Sequence, residues 1–513
     1  MAAKMVADIV RSSLGPRGMD KMLVDSLGDV AITNDGATIL KEIDIQHPAA
    51  KMMVEISKTT DSEVGDGTTS AVVLAGALLE RAEELISKDV HPTIIIDGYN
   101  TAAAKALEFL DEIAVKVKPG DKETLVRIAE TSMQTKLVSD ISKELAELVV
   151  GAMLQVAEQQ EDGTYKVDIA NVKVEKKPGG SLSDTTIIKG IILDKEVVHS
   201  GMPKRVEEAK IALINSPLEI EKTEFSAEIR ITDPTQMKKY LEEENYMLKE
   251  MVDKIVSVGA NVLVCQKGID DVAQSLLAKA GVLAVRRAKE SDMTMLAKAT
   301  GARLVTNIND FAEKDLGYAK LVEERKIEQD RWVFVEGCKN PKAVSILIRG
   351  GQQRAVDEAE RSLHDAIMVT KDVLEKPEIV AGGGAPEAEI ASRLRAYSSR
   401  VSGREQLAIL KFADALEVIP MALSENAGMD EIDTLVEMRA SHGQGKKWVG
   451  INVLTGKVSD MMDYVIEPVA VKEEVIRAAA EASCLILRVN DVLAAARPAG
   501  PAPPSPGAGE MGY

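Results

Sequence analysis

Aromatic side chains are scarce in this sequence. They make up 3% of 513 residues, with five Phe and two Trp. The cores must therefore be assembled from Val, Ile, Leu, Ala and Met. Cysteine is rarer still: Cys265, Cys338 and Cys484 lie far apart, which excludes a disulfide framework and fits a reducing, cytoplasmic compartment. The five His are scattered, and none stands at metal-ligand spacing with a Cys, so a Cys/His zinc site is not expected. Basic residues are in deficit, 63 Lys and Arg against 82 Asp and Glu, a net charge of −19. That balance argues against a nucleic-acid partner, whose phosphates need clustered Lys and Arg, and against an anionic membrane surface. No apolar run approaches the roughly 18 residues of a membrane span. The N-terminal MAAKMVADIVRSS lacks the apolar stretch of a signal peptide.

Several catalytic patterns are missing too. The sequence contains no Gly-x-x-x-x-Gly-Lys-[Ser/Thr] P-loop, no protein-kinase set and no Gly-x-Ser-x-Gly elbow. What remains is a composition that folds: 45% hydrophobic and 28% charged residues, close to the globular average. At about 100–200 residues per domain, the length predicts roughly three domains.

Along the chain, the beginning reads as helix, hairpin, helix, with a Gly28-Asp29 turn inside residues 24–34. Pro48 opens a further helical run. After the glycine-rich break at 64–69, Val72, Ala75, Leu78 and Leu79 recur at helical spacing. Residues 121–155 stay helical, and Asp162-Gly163 signals a turn. The centre changes character. Short β-like runs at 187–193, 211–214, 262–265, 282–285, 304–308, 332–336 and 344–348 alternate with helical stretches, as in an α/β module. Helical character returns over 353–374 and continues to about Arg497. Residues 498–513 are Pro/Gly/Ala-rich, and a disordered tail is expected there. Thr232-Asp233-Pro234 is a helix start. Behind it Met237, Tyr240, Leu241, Met247, Leu248, Met251, Val252 and Ile255 repeat at helical spacing. That stripe reads either as a helix packed on its own domain or as a Met-rich surface for apolar partners.

The chemistry-bearing pattern is a set of glycine breaks holding carboxylates. In Gly65-Asp66-Gly67-Thr68-Thr69, just before a predicted helix, glycines admit close approach of backbone N–H groups to a phosphate. The threonines add donors, and an Asp suits a phosphate that carries Mg²⁺. An ordinary Asp-capped helix start remains the alternative. Leu14-Gly15-Pro16-Arg17-Gly18 and Asn34-Asp35-Gly36 are each routine turns alone; three such breaks within 70 residues suggest one composite phosphate site. Asp365, mid-helix between Leu363 and Ile367, reads either as a solvated position or as a carboxylate aimed at a water.

Together these residues resemble the chaperonins. The motifs are LGPRG at 14–18, NDG at 34–36, GDGTT at 65–69, the Asp365 helix and Gly382-Gly383-Gly384. The likeness is narrower to the group II chaperonins, the archaeal thermosome and the eukaryotic cytosolic chaperonin. QKGIDD at 266–271, SGREQLA at 402–408, ALEVIP at 415–420, ENAG at 425–428, GINVLTG at 450–456 and the long helical segment 232–256 carry it. Intact ATPase motifs favour a single-type archaeal subunit.

That resemblance implies an α/β multidomain subunit. A helical equatorial ATPase domain takes 1–119 and 380–513, a small intermediate domain takes 120–187 and 349–379, and an apical α/β domain with a helical protrusion takes 188–348. It implies an ATP-dependent chaperone that encloses non-native proteins in a double ring of identical or paralogous subunits. The implied cofactors are ATP and Mg²⁺. By the same resemblance Leu14, Gly15 and Pro16 line the nucleotide, and Gly36 passes close to the phosphates. Asp66 ligates Mg²⁺, and Gly67, Thr68 and Thr69 hold phosphates. Gly383 packs on the ribose side, Asn452 lies near the base, and Glu467 meets the ribose hydroxyls. Asp35 and Asp365 orient and deprotonate the attacking water, and Lys136 senses the terminal phosphate; the Gly usual before that lysine is Thr135 here. Such subunits are expected to carry about 25 further residues before the position of Met1, whose strand pairs with a neighbour's sheet edge. Two other function classes stay in view: an ATP-independent holdase or scaffold with a vestigial ATPase site, and a small-molecule kinase sharing the α/β module.

Overall fold

The computed structural model describes residues 1–24, 28, 30–134, 141–161, 163–220, 234–338 and 342–491. The first stretch is helix α1 (Ala2–Arg11), a hairpin of Lys21–Val24 with Val30–Thr33, and α2 (Gly36–Glu42). The hairpin starts earlier than the sequence suggests. Then follow α3 (Pro48–Val64), α4 (Thr68–Ile86), α5 (Pro92–Ile113), α6 (Lys122–Met133) and α7 (Ser142–Val156). Local chemistry sets the ends of α3. Pro48 stands at its first turn, His47 caps it, and Gly65 closes it at φ 68°, a left-handed value that glycine adopts at little cost.

Small residues replace aromatic bulk in the helical body. A Cβ on Gly76 of α4 would lie 2.3 Å from the Ala7 Cβ of α1, so those helices touch nearly backbone to backbone. Two of the body's aromatics sit centrally. Tyr99 stands edge-on to Phe412 at 5.6 Å and donates its hydroxyl to the Leu78 carbonyl at 2.8 Å.

The central segment holds α8 (Pro234–Ser257), α9 (Asp271–Lys279) and α10 (Glu290–Thr300) around a seven-stranded mixed sheet. Its parallel part aligns Arg205–Ile214, Val262–Cys265 and Leu283–Val285, with Val262 opposite both Ile211 and Leu283. Gly317–Ile327, Asp330–Cys338 and Gly190–Leu193 add antiparallel strands. The eleven-residue strand Gly317–Ile327 is the longest in the chain's described part, and sequence reading missed it. A neighbouring three-stranded sheet pairs Val344–Gly350 with Val172–Pro178 and Thr186–Ile188.

The last part carries α11 (Gln353–Glu375), α12 (Ala385–Ser398), α13 (Glu405–Leu416), α14 (Val418–Asn426), α15 (Glu431–Gly443) and α16 (Val469–Leu487). The helical character expected from Gln353 to about Arg497 holds in part, residues 492–497 lying outside the described residues. Short strands Val449–Asn452, Lys457–Asp460 and Ile466–Pro468 interrupt it, and α16 ends at Leu487. Three- and four-residue strands leave too short a period to read. Strand Glu378–Ala381 pairs with Ile466–Pro468 on one side and Val115–Lys116 on the other, tying the two ends of the chain together.

Two large cores result. One runs from Ala3 to Val172 and resumes from Val344 to Cys484; the other lies wholly between Ile191 and Ala343. All three cysteines are unpaired. Among the described residues no helix is long and apolar enough to cross a membrane. Thr232, Asp233 and the expected tail at 498–513 lie outside the described residues.

Candidate functional site

The glycine breaks meet around one cavity. Leu14, Gly15, Pro16, Asp35, Asp66, Gly67, Thr68, Thr69, Asp365, Gly383, Asn452 and Glu467, all singled out from sequence, line it. Gly36 stands against this wall, where an added Cβ would lie 2.4 Å from Thr69 Oγ1. Thr131, Ser132 and Gln134 also line it, whereas Lys136 lies outside the described residues.

Each break is held by distant parts of the chain. Gly15 takes φ 81° with Leu423 against it, leaving 2.4 Å to any Cβ. Asn426, from the ENAG motif, donates its amide to the carbonyls of Arg11 and Leu14 at 3.0 and 2.8 Å. Gly67 takes φ 78° as the residue capping α4, and a Cβ there would meet Val475 at 2.8 Å and Val471 at 3.0 Å. Glycine at that point lets α16 close over the α4 N-terminus, whose first N–H groups and partial positive charge favour an anion. Thr68 and Thr69 form its first turn.

Carboxylates converge on the same end. Asp35 caps α2: Thr38 donates its N–H at 2.8 Å and its hydroxyl at 2.7 Å to Oδ2. The Thr68 hydroxyl lies 3.5 Å from Oδ1. The Gly67 N–H donates to Asp66 Oδ1 at 2.6 Å. Asp365 is 8% exposed, so the solvated reading of this mid-helix Asp does not hold. It is buried because α11 packs Met368 directly onto Gly65, where a Cβ would meet the Met368 Cβ at 2.3 Å. Asp61, His364 and Asp365 bring ligand-type atoms within 4.8 Å of one another. Asp372, two turns beyond Asp365 on α11, is buried, and its Oδ2 finds no hydrogen-bond partner among the described residues. Burial pushes its carboxyl up to about 7, helped by the nearby charges of Glu375, Asp66 and Glu63.

The opposite end is different. Gly383 and Gly384 take φ 67° and 75°, and the Gly383 carbonyl accepts the Ile451 N–H at 2.8 Å. Asn452 is buried; its Oδ1 accepts the N–H groups of Leu454 and Thr455 at 3.1 and 3.2 Å, fixing its own turn. Ile419, Leu423, Ile451 and Tyr464 give this end apolar surface. Lys472 of α16 stands between Glu467 at 2.6 Å and Glu387 at 2.9 Å. Burial opposes the lysine's charge, yet the two carboxylates outweigh it and hold its pKa above the ordinary value. Burial raises Glu467 against the pull of Lys472. Lys472 was not legible as a site residue, since VAVKEEVIR reads as a helix with solvated charges. The apolar wall was equally silent, being indistinguishable from core.

Chemically the cavity has two ends. One offers a helix N-terminus, two Thr hydroxyls and three Asp carboxylates, a hard-oxygen set suited to a phosphate chain carrying Mg²⁺. The other offers apolar surface with one carboxylate at its edge, suited to a ring and its hydroxyls.

The chain is similar to known proteins over nearly its whole length. Residues 6–497 match the model of the TCP-1/cpn60 chaperonin family. The chain is 60% identical to a thermosome subunit of Pyrococcus abyssi over 496 residues, covering 96% of this chain and 90% of that protein. It is 58% identical to a thermosome subunit of Methanopyrus kandleri, covering 96% and 91%. Among solved structures, the open-state monomer of a group II chaperonin from Methanococcoides burtonii aligns with a TM-score of 0.63 at 44% identity. That alignment covers 83% of this chain and 100% of that one.

Proposed function

The chain belongs to the TCP-1/cpn60 chaperonin family, has the multidomain α/β fold of a group II chaperonin subunit and shares the family's general ATP-dependent folding activity; on that premise we propose how its own residues perform it. In this reading 1–119 and 380–513 form the equatorial ATPase domain, 120–187 and 349–379 the intermediate domain, and 188–348 the apical domain. Identical or paralogous subunits assemble as a double ring, and the α8 region closes the cavity over a non-native polypeptide.

The observation that carries the reading is the meeting of Asp35, Asp66 and Asp365, from three separate elements, at the N-terminus of α4. Leu14, Gly15 and Pro16 wall the nucleotide, and Gly36 leaves room for its phosphates. The N–H groups around Gly67, Thr68 and Thr69 hold the phosphate oxygens at a helix N-terminus. Asp66 holds Mg²⁺, which when bound neutralises phosphate charge. Asp35 is kept rigid by its two bonds from Thr38 and orients the attacking water. Asp365 accepts the water's proton. Gly383, Asn452 and Glu467 take the nucleoside end, and Lys136 reads the terminal phosphate.

Asp365 rides on α11, in the proposed intermediate domain, while Asp35 and Asp66 belong to the equatorial one. Hydrolysis then requires α11 to be docked on the Gly65 break, which couples turnover to domain movement. Only a difference in nucleotide affinity between docked and undocked states can drive that movement. Non-native clients are recognised by apolar surface: Tyr240, Tyr246 and Met247 of α8 are each more than two-fifths exposed.

Asp365→Ala is the test. Phosphate release is expected to fall by about 100-fold or more, with Mg-ATP still bound. Undiminished hydrolysis removes Asp365 from the mechanism. Refolding of a denatured test enzyme that is equally good without ATP transfers the reading to a holdase, and phosphate transfer to a small acceptor transfers it to a kinase.

A further inference from the structure

The nucleoside end of the cavity carries an ionic arrangement whose purpose the proposed mechanism leaves open. Lys472 is 7% exposed and bridges two carboxylates from different segments. Its Nζ lies 2.6 Å from Glu467 Oε2, on strand Ile466–Pro468, and 2.9 Å from Glu387 Oε1, in the first turn of α12. The remaining Glu467 oxygen is also placed. Oε1 lies against Gly382, where an added Cβ would come within 2.7 Å of it. The Gly382 N–H donates to the Val465 carbonyl at 2.8 Å, which holds that glycine to the strand. The carboxylate therefore has one oxygen tied to a buried ammonium and the other set beside a bare glycine, on the wall of the cavity.

Charge decides what such a group can meet. A carboxylate facing phosphate oxygens repels them, whereas a carboxylate facing hydroxyls accepts their hydrogen bonds. One lysine between two glutamates leaves a net negative charge, which disfavours phosphate oxygens against Glu467 itself. Fixing the carboxylate in advance also spares the cost of ordering it when a ligand arrives.

We infer that Lys472 is a positioning residue, which clamps Glu467 in the orientation that accepts the sugar hydroxyls of a nucleotide and so sets discrimination against sugars lacking them. The inference rests on the reading of this cavity as the nucleotide site and of Glu467 as its sugar contact. A lysine that merely held the fold would affect every nucleotide alike; a positioning lysine affects only those with hydroxyls.

The experiment is steady-state kinetics of the full chain with ATP and with 2′,3′-dideoxy-ATP. The wild type is compared with Glu467→Gln, Lys472→Met, Lys472→Arg and the double variant Lys472→Met/Glu387→Gln. The double variant keeps the net charge of the cluster and guards against misfolding of the single one. Hydrogen bonds to a charged group predict that the wild type prefers ATP by about tenfold or more in KM. Glu467→Gln, Lys472→Met and the double variant are expected to raise KM for ATP toward that for the dideoxy nucleotide, collapsing the ratio. Lys472→Arg is expected to restore most of it. If both lysine-to-methionine variants raise the two KM values equally and keep the ratio, the inference is overturned and Lys472 is structural. If Glu467→Gln collapses the ratio but they do not, the sugar reading of Glu467 stands and the inference alone falls. If Glu467→Gln itself leaves the ratio intact, the underlying reading of Glu467 fails, and absence of any ATP turnover by the wild type removes the nucleotide reading altogether.

Discussion

The helical body built from both ends of the chain and the β-rich centre bury different things. In the body, charges are buried beside the cavity and at helix ends: Asp365, Asp372, Glu387, Glu389, Glu417 and Lys472 are all less than 9% exposed. In the centre the parallel strands Val262–Cys265 and Leu283–Val285 are apolar and fully buried. The centre buries charge too, Asp292 and Asp315 being 2% and 3% exposed, and carries more on a sheet face, where Arg325 pairs with Glu336 at 2.6 Å and Glu323 at 3.1 Å. Buried charge is costly unless paired, and two of the six named in the body, Asp365 and Lys472, line the cavity. Both regions also expose apolar side chains, the centre mainly on α8. One region lines the cavity, and the other exposes Tyr240, Tyr246 and Met247 on α8.

The sharpest way to break that comparison is to unpair a buried charge in the body. Glu417 is 2% exposed and takes Arg395 at 2.6 and 2.8 Å together with Arg439. Burial works against its charge, but the two guanidiniums win and hold its carboxyl below the usual range. Its stabilisation is thus present above the ordinary carboxylate value and is lost as acid reaches the lowered one. Glu417→Ala is expected to cost about 3–5 kcal/mol. Thermal unfolding followed by limited proteolysis should show the body melting earlier, with fragments from the centre still protected.

Asp372 is the opposite case in the same body, a buried carboxylate with no ion pair among the described residues. With its folded value raised to about 7 from 3.8, the native state holds a proton that the unfolded chain has released, so stability falls as pH rises between those values. Asp372→Asn is expected to melt several degrees higher than wild type at alkaline pH and to equal it in acid. Melting curves across that range check the sign.

A matched pair of glycines sharpens the contrast further. Gly67 and Gly301 both take a left-handed φ, 78° and 74°, yet a Cβ at Gly67 meets Val475 and Val471 while one at Gly301 meets nothing within 4 Å. Alanine at either position bears a backbone cost of about 1–2 kcal/mol. Gly67→Ala is expected to weaken Mg-ATP binding by about tenfold in addition, and Gly301→Ala to leave it unchanged, as isothermal titration will show.

The smallest change is expected on α8. Tyr246 and Met247 are 56% and 44% exposed, while Leu248 is 3% exposed. Serine at both exposed positions should alter stability by no more than about 0.5 kcal/mol, whereas Leu248→Ala should cost about 2–5 kcal/mol. Loss of aggregation suppression in the first variant, without loss of stability, would separate contact surface from core.

How much of this was legible in the chain depended on whether the cause was local. Pro48, His47 and Gly65 fix α3 by themselves, and the apolar runs of the parallel strands declare themselves. The glycine breaks were legible as well, since their conformations need glycine whatever surrounds them. Strand Gly317–Ile327 was not, because LVEERKI carries its charges on a face whose pairing partners come from other strands. Lys472 was not, because the glutamate that buries it, Glu387, belongs to another helix far upstream. For Asp365 the sequence left two readings, and only the packing of Met368 on Gly65 decides between them. The α8 stripe divides similarly: Leu248, Val252 and Ile255 pack inward, and Met247 does not.

The cavity draws its walls from Leu14 near one end of the chain and from Val475 near the other, and this has a consequence for biosynthesis. A ribosome emits the whole β-rich centre, a continuous stretch, long before it emits α16. The centre can close its own core while the first five helices still wait for α12, α13 and α16 to complete theirs. During that interval Val72, Leu74 and Leu78, destined for the deepest part of the body, lie on a helix that still lacks α13 and α16, two of its packing partners. Such contacts, long in sequence separation, are slow to form. A nascent chain of this kind is itself, for the time of its own synthesis, an incompletely folded protein with apolar surface on display.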